Sequence, residues 1–237
     1  MLYFYPREDR YDNFDFVAEL NKGISISKMA DSTAAIDTVK HFYLDNLKVN
    51  IIDFVSDLAF NYPIERTVRY YLQNKCTVYR YLFTYDGHRN FMKIRDNITA
   101  VGSTHGDELG YLFDMPLLQS LGETTVEDQV IIDRMSLLWT NFAKYGDPTP
   151  QTSKLLPVKW TPVTARAKPY LQIDTYMGLF NGPFEKRMAF WDSYYAKYEK
   201  YVKGISLGDN FFGKVVCKHE YNHVFKYRSL ITSHPIY

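Results

Sequence analysis

The residues from Thr77 to Tyr85 are almost all β-branched or aromatic, and Asp86 and Gly87 follow them directly. Such a run predicts a β-strand that ends in a turn. A second, shorter strand is predicted from Tyr170 to Ile173. Helical patterns lie before, between and after the two strands, and this order of elements is typical of an α/β fold.

Caps and the helical spacing of apolar residues predict four helices. They run from Asp31 or Ser32 to about Leu47, from Pro63 to Gln73, from Thr124 to Gly146 and from about Pro183 to Val202. The third is the clearest, because Thr124 and Glu127 fit a capping box and Gly146 can end a helix. A loop of about twenty residues that follows the first strand contains Gly102 to Gly110, and loops of that length are usually functional or disordered.

Composition excludes several classes of function. The formal net charge is +1, so no strong field would attract the chain to nucleic acid or to an anionic membrane. No run of about 18 apolar residues occurs, and no membrane span is expected. The two cysteines, Cys76 and Cys217, are too few for a disulfide scaffold, and whether they pair stays open.

The first six residues, Met1 to Pro6, form an apolar, strand-like run without a basic leader region or a cleavage site. This pattern is not that of a signal peptide. It is typical of a chain that enters in the middle of a fold. The cellular location therefore stays open.

His105 is the first candidate for chemistry. It lies on the long loop between Gly102 and Gly106, and Asp107 and Glu108 follow it. Histidine is the natural general base near neutral pH, and glycines allow tight turns around it. Taken alone, these neighbours favour an ordinary surface histidine beside solvated acids.

The run from Gly102 to Phe113 resembles the catalytic-histidine segment of the type-B carboxylesterases, the family of cholinesterases and insect esterases. Further segments resemble the family in the same order: Asp57–Pro63, Trp139–Pro148, and Tyr170–Ile173 with Arg187–Trp191. The pattern is closest to insect esterases. The resemblance implies that residues 1–202 are the C-terminal half of an α/β-hydrolase domain and that residues 203–237 are an atypical tail.

The resemblance also implies an activity, the hydrolysis of small-molecule carboxylic esters without a metal or an organic cofactor. His105 matches the triad base, which takes the serine proton and returns it to the leaving alcohol. Glu108 resembles a buried acid that braces this loop, although a solvated position is also open. The substrate ester stays unnamed.

In this family the serine and the acid of the triad precede the histidine in the chain. The acid is expected in a Glu-Gly turn just before a segment like Met1 to Pro6, and no such turn is present. Glu8 and Asp9 lack that turn and are poor substitutes. We therefore expect this chain alone to lack the nucleophile and the oxyanion hole, and to be inactive.

Two other classes stay open. Non-catalytic adhesion and binding proteins share the cholinesterase fold and often lose triad members, but the intact motif around His105 favours an enzyme. The chain could also be a purely structural half with an unpaired sheet edge, which would need a partner or aggregate.

The tail contains two short motifs that match catalytic patterns. Gly204 to Gly208 fits G-x-S-x-G around Ser206, but a predicted helix precedes it and it follows His105, against the family order. His219 to His223 fits the zinc pattern H-E-x-x-H, but no third ligand follows at the right spacing. Neither motif is predicted to be a site.

Overall fold

The computed structural model describes residues 14–43, 49–120 and 122–202. Within them the chain forms nine α-helices and three short strands. The helices α1 to α9 are Phe16–Gly23, Ser32–Tyr43, Val49–Ser56, Tyr62–Gln73, Phe91–Asp96, Leu109–Leu112, Pro116–Gln119, Val126–Tyr145 and Glu185–Lys197. The strands β1 to β3 are Tyr81–Phe83, Pro169–Ile173 and Gly178–Asn181, and a π-helical turn, Asp57–Asn61, joins α3 to α4.

The three strands form one sheet with β2 in the centre. Strand β1 pairs with β2 in parallel, with Leu82 opposite Gln172. Strand β3 pairs with β2 antiparallel, with Leu171 opposite Leu179. The parallel pair is connected through α8, which is the crossover that parallel strands require.

The predicted strand Thr77–Tyr85 is too long, because only its centre pairs with β2. The residues just before β1 bond to the loop that precedes β2, and the carbonyl of Arg80 also accepts from the amide of Leu171 in β2 at 2.9 Å. The amide of Val163 donates to the carbonyl of Val78 at 2.8 Å. The indole Nε1 of Trp160 donates to the carbonyl of Arg80 at 3.1 Å. These contacts satisfy the backbone without a regular ladder.

The capping box predicted at Thr124 and Glu127 is wrong by one residue. Thr125 is the N-cap of α8, and its hydroxyl accepts from the amide of Asp128 at 3.1 Å. The predicted end is confirmed, because Gly146 has a φ of 66° and its amide donates to the Phe142 carbonyl. Glycine takes this left-handed conformation without the steric cost that a side chain brings.

The first two predicted helices are confirmed with small changes at their ends. Helix α2 begins at Ser32 and is described to Tyr43. The predicted end at Leu47 falls within residues 44–48, which lie outside the described residues. Helix α4 begins at Tyr62, so Pro63 occupies its first turn, where the missing proline N–H costs nothing.

The last helix and the long loop differ more from the prediction. Helix α9 ends at Lys197, and a single 3₁₀ turn, Glu199–Tyr201, replaces the predicted extension to Val202. The loop after β1 contains a helix of its own, α5. Asn97 ends α5 in the left-handed conformation, with a φ of 52°. Strand β3 was not predicted.

Two hydrophobic cores hold these elements. The first joins α1, α2, α3 and α9, with the fully buried rings of Phe54 and Trp191 stacked at 6.3 Å. The second packs the sheet against α8, with Phe83, Ile131 and Leu171 fully buried. Burial of each large apolar side chain contributes about 1.5–3 kcal/mol.

Several sequence predictions fall on residues that the structure does not describe. They concern Met1 to Pro6, Ser206 with its flanking glycines, and His219 to His223. Cys217 also lies there, so its pairing with Cys76 stays a question. Among the described helices, none is both long enough and apolar enough to cross a bilayer.

Candidate functional site

His105 is exposed on the loop between α5 and α6. Its imidazole packs on the ring of Phe60, with the ring centroids 4.4 Å apart and the planes inclined by 31°. Phe60 is half-buried and lies on the π-helical turn between α3 and α4. The aromatic contact supports one side of the imidazole, and the ring stays accessible to a reactant.

Two glycines set the backbone around His105. Gly102 has a φ of 104° and Gly106 has a φ of 84°, both in the region that side chains disfavour. A Cβ at Gly106 would lie 3.0 Å from Cγ of Met92, so there is little room for one. The loop conformation therefore depends on glycine on both sides of the histidine.

Asp107 anchors the loop from inside the protein. Its side chain is fully buried, and its carboxylate accepts four hydrogen bonds. The donors are the amides of Thr104 at 2.6 Å, Met92 at 2.9 Å and Lys93 at 3.0 Å, and Nδ2 of Asn90 at 3.2 Å. Burial raises the pKa of Asp107, although the hydrogen bonds oppose this. Asp107 thus ties the residues beside His105 to the start of α5.

The other end of the loop is tied to the end of β1. The Ser103 hydroxyl donates to the carbonyl of Phe83 at 2.8 Å. The amide of Gly102 donates to Oδ2 of Asp86 at 2.7 Å, and Nζ of Lys93 donates to the Gly102 carbonyl at 3.0 Å. The loop is therefore fixed at both ends, and His105 lies between these anchors.

Glu108 is buried, with 8% of the residue exposed. Its Oε1 accepts from the hydroxyl of Tyr81 on β1 at 3.3 Å, and its buried Oε2 has no hydrogen-bond partner among the described residues. Burial raises the pKa of Tyr81, and the nearby charge of Glu108 raises it further. The structure thus joins Glu108 to the sheet through its side chain and to His105 through the loop backbone.

The turn that carries Phe60 is held by Asp57, which is completely buried. Its carboxylate accepts from the Tyr43 hydroxyl and from Nδ2 of Asn61, both at 2.7 Å. Arg187 of α9 places its Nε 3.0 Å from the same carboxylate. Burial raises the pKa of Asp57, and the charge of Arg187 opposes this.

The sequence did not indicate which of these residues are buried or which of them contact His105. The acids beside His105 were expected to be solvated if the histidine were ordinary, but both Asp107 and Glu108 are buried. Asp57 carried a usable signal, because it lies inside the apolar stretch from Ile51 to Phe60. No spacing rule indicated that Phe60 would contact His105. Among the described residues, no group of three His, Cys, Asp or Glu could hold a metal ion.

A parallel strand pair joined through a helical crossover, with His105 on the loop between α5 and α6 of that connection, is the arrangement expected of the α/β-hydrolase class. The chain belongs to the carboxylesterase family, whose family model matches residues 7–191. The predicted family and the predicted α/β-hydrolase fold are therefore confirmed.

Curated relatives cover the chain at low identity. Human bile salt-activated lipase is 32% identical over 136 residues, which are 56% of this chain and 17% of the lipase. Gut esterase 1 of Caenorhabditis elegans is 29% identical over 162 residues, 67% of this chain and 27% of the esterase. Mouse carboxylesterase 1E is 27% identical over 201 residues, 83% of this chain and 34% of that enzyme. The chain thus spans about a third or less of these relatives.

Proposed function

We propose that this chain supplies the acid–base histidine of a carboxylic ester hydrolase, and that His105 is this residue. The family and the names of the relatives, which are lipases and esterases, support ester hydrolysis. The observation that carries the proposal is the exposed imidazole of His105 on a loop that buried Asp107 fixes.

In the proposed reaction His105 takes the proton of a serine hydroxyl while the serine oxygen attacks the carbonyl carbon of the ester. The imidazolium then donates this proton to the alcohol oxygen as the bond between that oxygen and the acyl carbon breaks. The same histidine next takes a proton from water as the water oxygen attacks the acyl carbon, and it donates this proton to the serine oxygen as the acyl–serine bond breaks and the carboxylic acid leaves. His105 is neutral again at the end of the cycle.

The residues around His105 have positioning roles in this proposal. Four hydrogen bonds to Asp107 hold the backbone beside the imidazole, and the contact with Phe60 limits the tilt of the ring. Glu108 braces the loop against β1 through Tyr81. Fixed placement of a general base is what makes proton transfer fast, because a small displacement weakens it steeply.

The test is hydrolysis of p-nitrophenyl butyrate by the complete natural gene product that contains this sequence. His105→Gln removes the base, and we expect kcat to fall at least about 1000-fold with a small change in KM. His88→Gln is the matched control, because His88 is an exposed histidine with 80% of its side chain accessible. This control should keep the activity of the unchanged protein.

Labelling with a fluorophosphonate, which reacts with activated serines, separates the alternatives. A labelled polypeptide whose labelling fails in His105→Gln supports the esterase. A folded polypeptide that is never labelled supports the non-catalytic binding class and contradicts the proposal. The 237-residue chain alone is expected to show no turnover, and turnover that Ser206→Ala abolishes would contradict the expectation that Ser206 in the tail is not a nucleophile.

A further inference from the structure

A second concave site lies away from the His105 loop, and none of that loop's residues lines it. It is a half-open pocket of about 510 Å³ between α4, the residues before β1 and the loop before β2. The volume is within the range of about 300–1,000 Å³ that small-molecule sites occupy. The apolar side chains that line it are those of Val68, Leu72, Val163 and Ala165.

The polar side of this pocket contains more positive than negative charge. The buried carboxylate of Glu65 accepts from Nη1 of Arg80 and from Nζ of Lys168, both at 2.7 Å. Arg69 donates to Glu65 at 3.0 Å and to both carboxylate oxygens of Asp192, at 2.6 and 2.8 Å. Three cations thus face two carboxylates, which leaves one positive charge in excess.

Arg80 has hydrogen-bonding capacity that the protein does not use. It is 8% exposed, and among the described residues only its Nη1 has an acceptor, so the hydrogens on Nε and Nη2 have none. Lys168 uses one of its three Nζ hydrogens on Glu65 and is more accessible, with 44% of its side chain exposed. Neither Nε nor Nη2 of Arg80 is among the fully buried atoms without a partner in the described residues, so both keep contact with solvent and can donate to a bound acceptor.

We propose that this pocket binds a monoanionic carboxylate with an aliphatic chain. One negative charge balances the excess at Arg80 and Lys168, and the planar carboxylate matches the fork of a guanidinium. The aliphatic chain of the ligand packs against apolar side chains of the pocket such as Val68 and Val163. A phosphate would bring about two charges to a site with one in excess. This binding does not depend on the activity proposed for His105.

The test is isothermal titration of the folded 237-residue chain with sodium octanoate. Octan-1-ol has the same chain without the charge, and sodium acetate has the charge without the chain. We expect saturable one-to-one binding of octanoate, and binding at least about tenfold weaker for octanol and for acetate, since charge-assisted hydrogen bonds and apolar burial each contribute on that scale.

Lys168→Gln should weaken octanoate binding about tenfold. Lys159→Gln is its matched control, because Lys159 is an ion-paired lysine of similar exposure, 49% against 44% for Lys168, outside the pocket. Ala165→Glu adds a negative charge at the exposed rim and should also weaken binding. Ala167→Glu, exposed but outside the lining, should not.

Several results would overturn the proposal. Absence of saturable octanoate binding would do so directly. Equal binding of octanol would show an apolar groove without anion recognition, and competition by inorganic phosphate at equal concentration would show an unspecific anion site. Equal losses in Lys168→Gln and Lys159→Gln would place the effect outside the pocket. His105→Gln should bind octanoate as tightly as the unchanged chain does, whatever its effect on ester hydrolysis, because His105 does not line the pocket.

Discussion

Replacement of Glu65 by glutamine removes the carboxylate that Arg69, Arg80 and Lys168 share. Burial alone would raise the pKa of Glu65. The hydrogen bond from Lys168 and the charge of Arg80 outweigh it and lower the pKa from 4.5 to about 2. An acid with a lowered pKa stabilises the folded state above its ordinary pKa. This contribution is lost as the pH falls through 4.5 towards 2.

The size of the effect follows from that pKa. At about 1.4 kcal/mol for each pH unit, the full contribution is about 3 kcal/mol above pH 5. Solvent screens part of it, because Arg69 and Lys168 have 36% and 44% of their side chains exposed, so about 2 kcal/mol is expected. At pH 7 Glu65→Gln also leaves the buried Arg80 without its counter-ion, and the total loss should be about 3 kcal/mol.

The measurement is urea unfolding followed by the fluorescence of the buried Trp160 and Trp191, at pH 7 and at pH 2.5. The free energy of unfolding should differ between the two proteins by about 3 kcal/mol at pH 7 and by less than about 1 kcal/mol at pH 2.5. Glu123→Gln, at an exposed glutamate, is the control and should match the unchanged protein at both values. A difference for Glu65→Gln that stays constant with pH would refute the reasoning.

Two further substitutions test the anchoring of the histidine loop and the start of α8. Asp107→Ala leaves buried donors without an acceptor and should cost about 3 kcal/mol, with faster hydrogen exchange of the first α5 amides in NMR spectra. Asp114→Ala, at an exposed aspartate, should change neither, and slow exchange in Asp107→Ala would contradict the assigned anchor. Thr125→Ala should lower the free energy of unfolding by about 1 kcal/mol and Thr124→Ala by much less, as thermal unfolding would show. The reverse order would restore the capping box predicted from sequence.

Local sequence predicted the elements whose signals lie within a few residues of one another. The centre of β1, strand β2 and the end of α8 at Gly146 are examples, because strand propensity and helix caps depend on near neighbours. The length of β1 was overestimated because Val163 and Trp160, far along the chain, bind the backbone of its first residues. Strand β3 is four residues long and begins with Gly178, so it gave no alternating pattern.

The sequence by itself determined the family and singled out His105, because these rest on motifs of contiguous residues in a fixed order. Only the tertiary structure decided that Asp107 and Glu108 are buried and that Phe60 contacts His105. The charged pocket depends on the tertiary structure even more, because Lys168 meets Glu65 across 103 positions of the chain. Burial and ion pairing arise from contacts between distant segments, and the local composition of the chain does not specify such contacts.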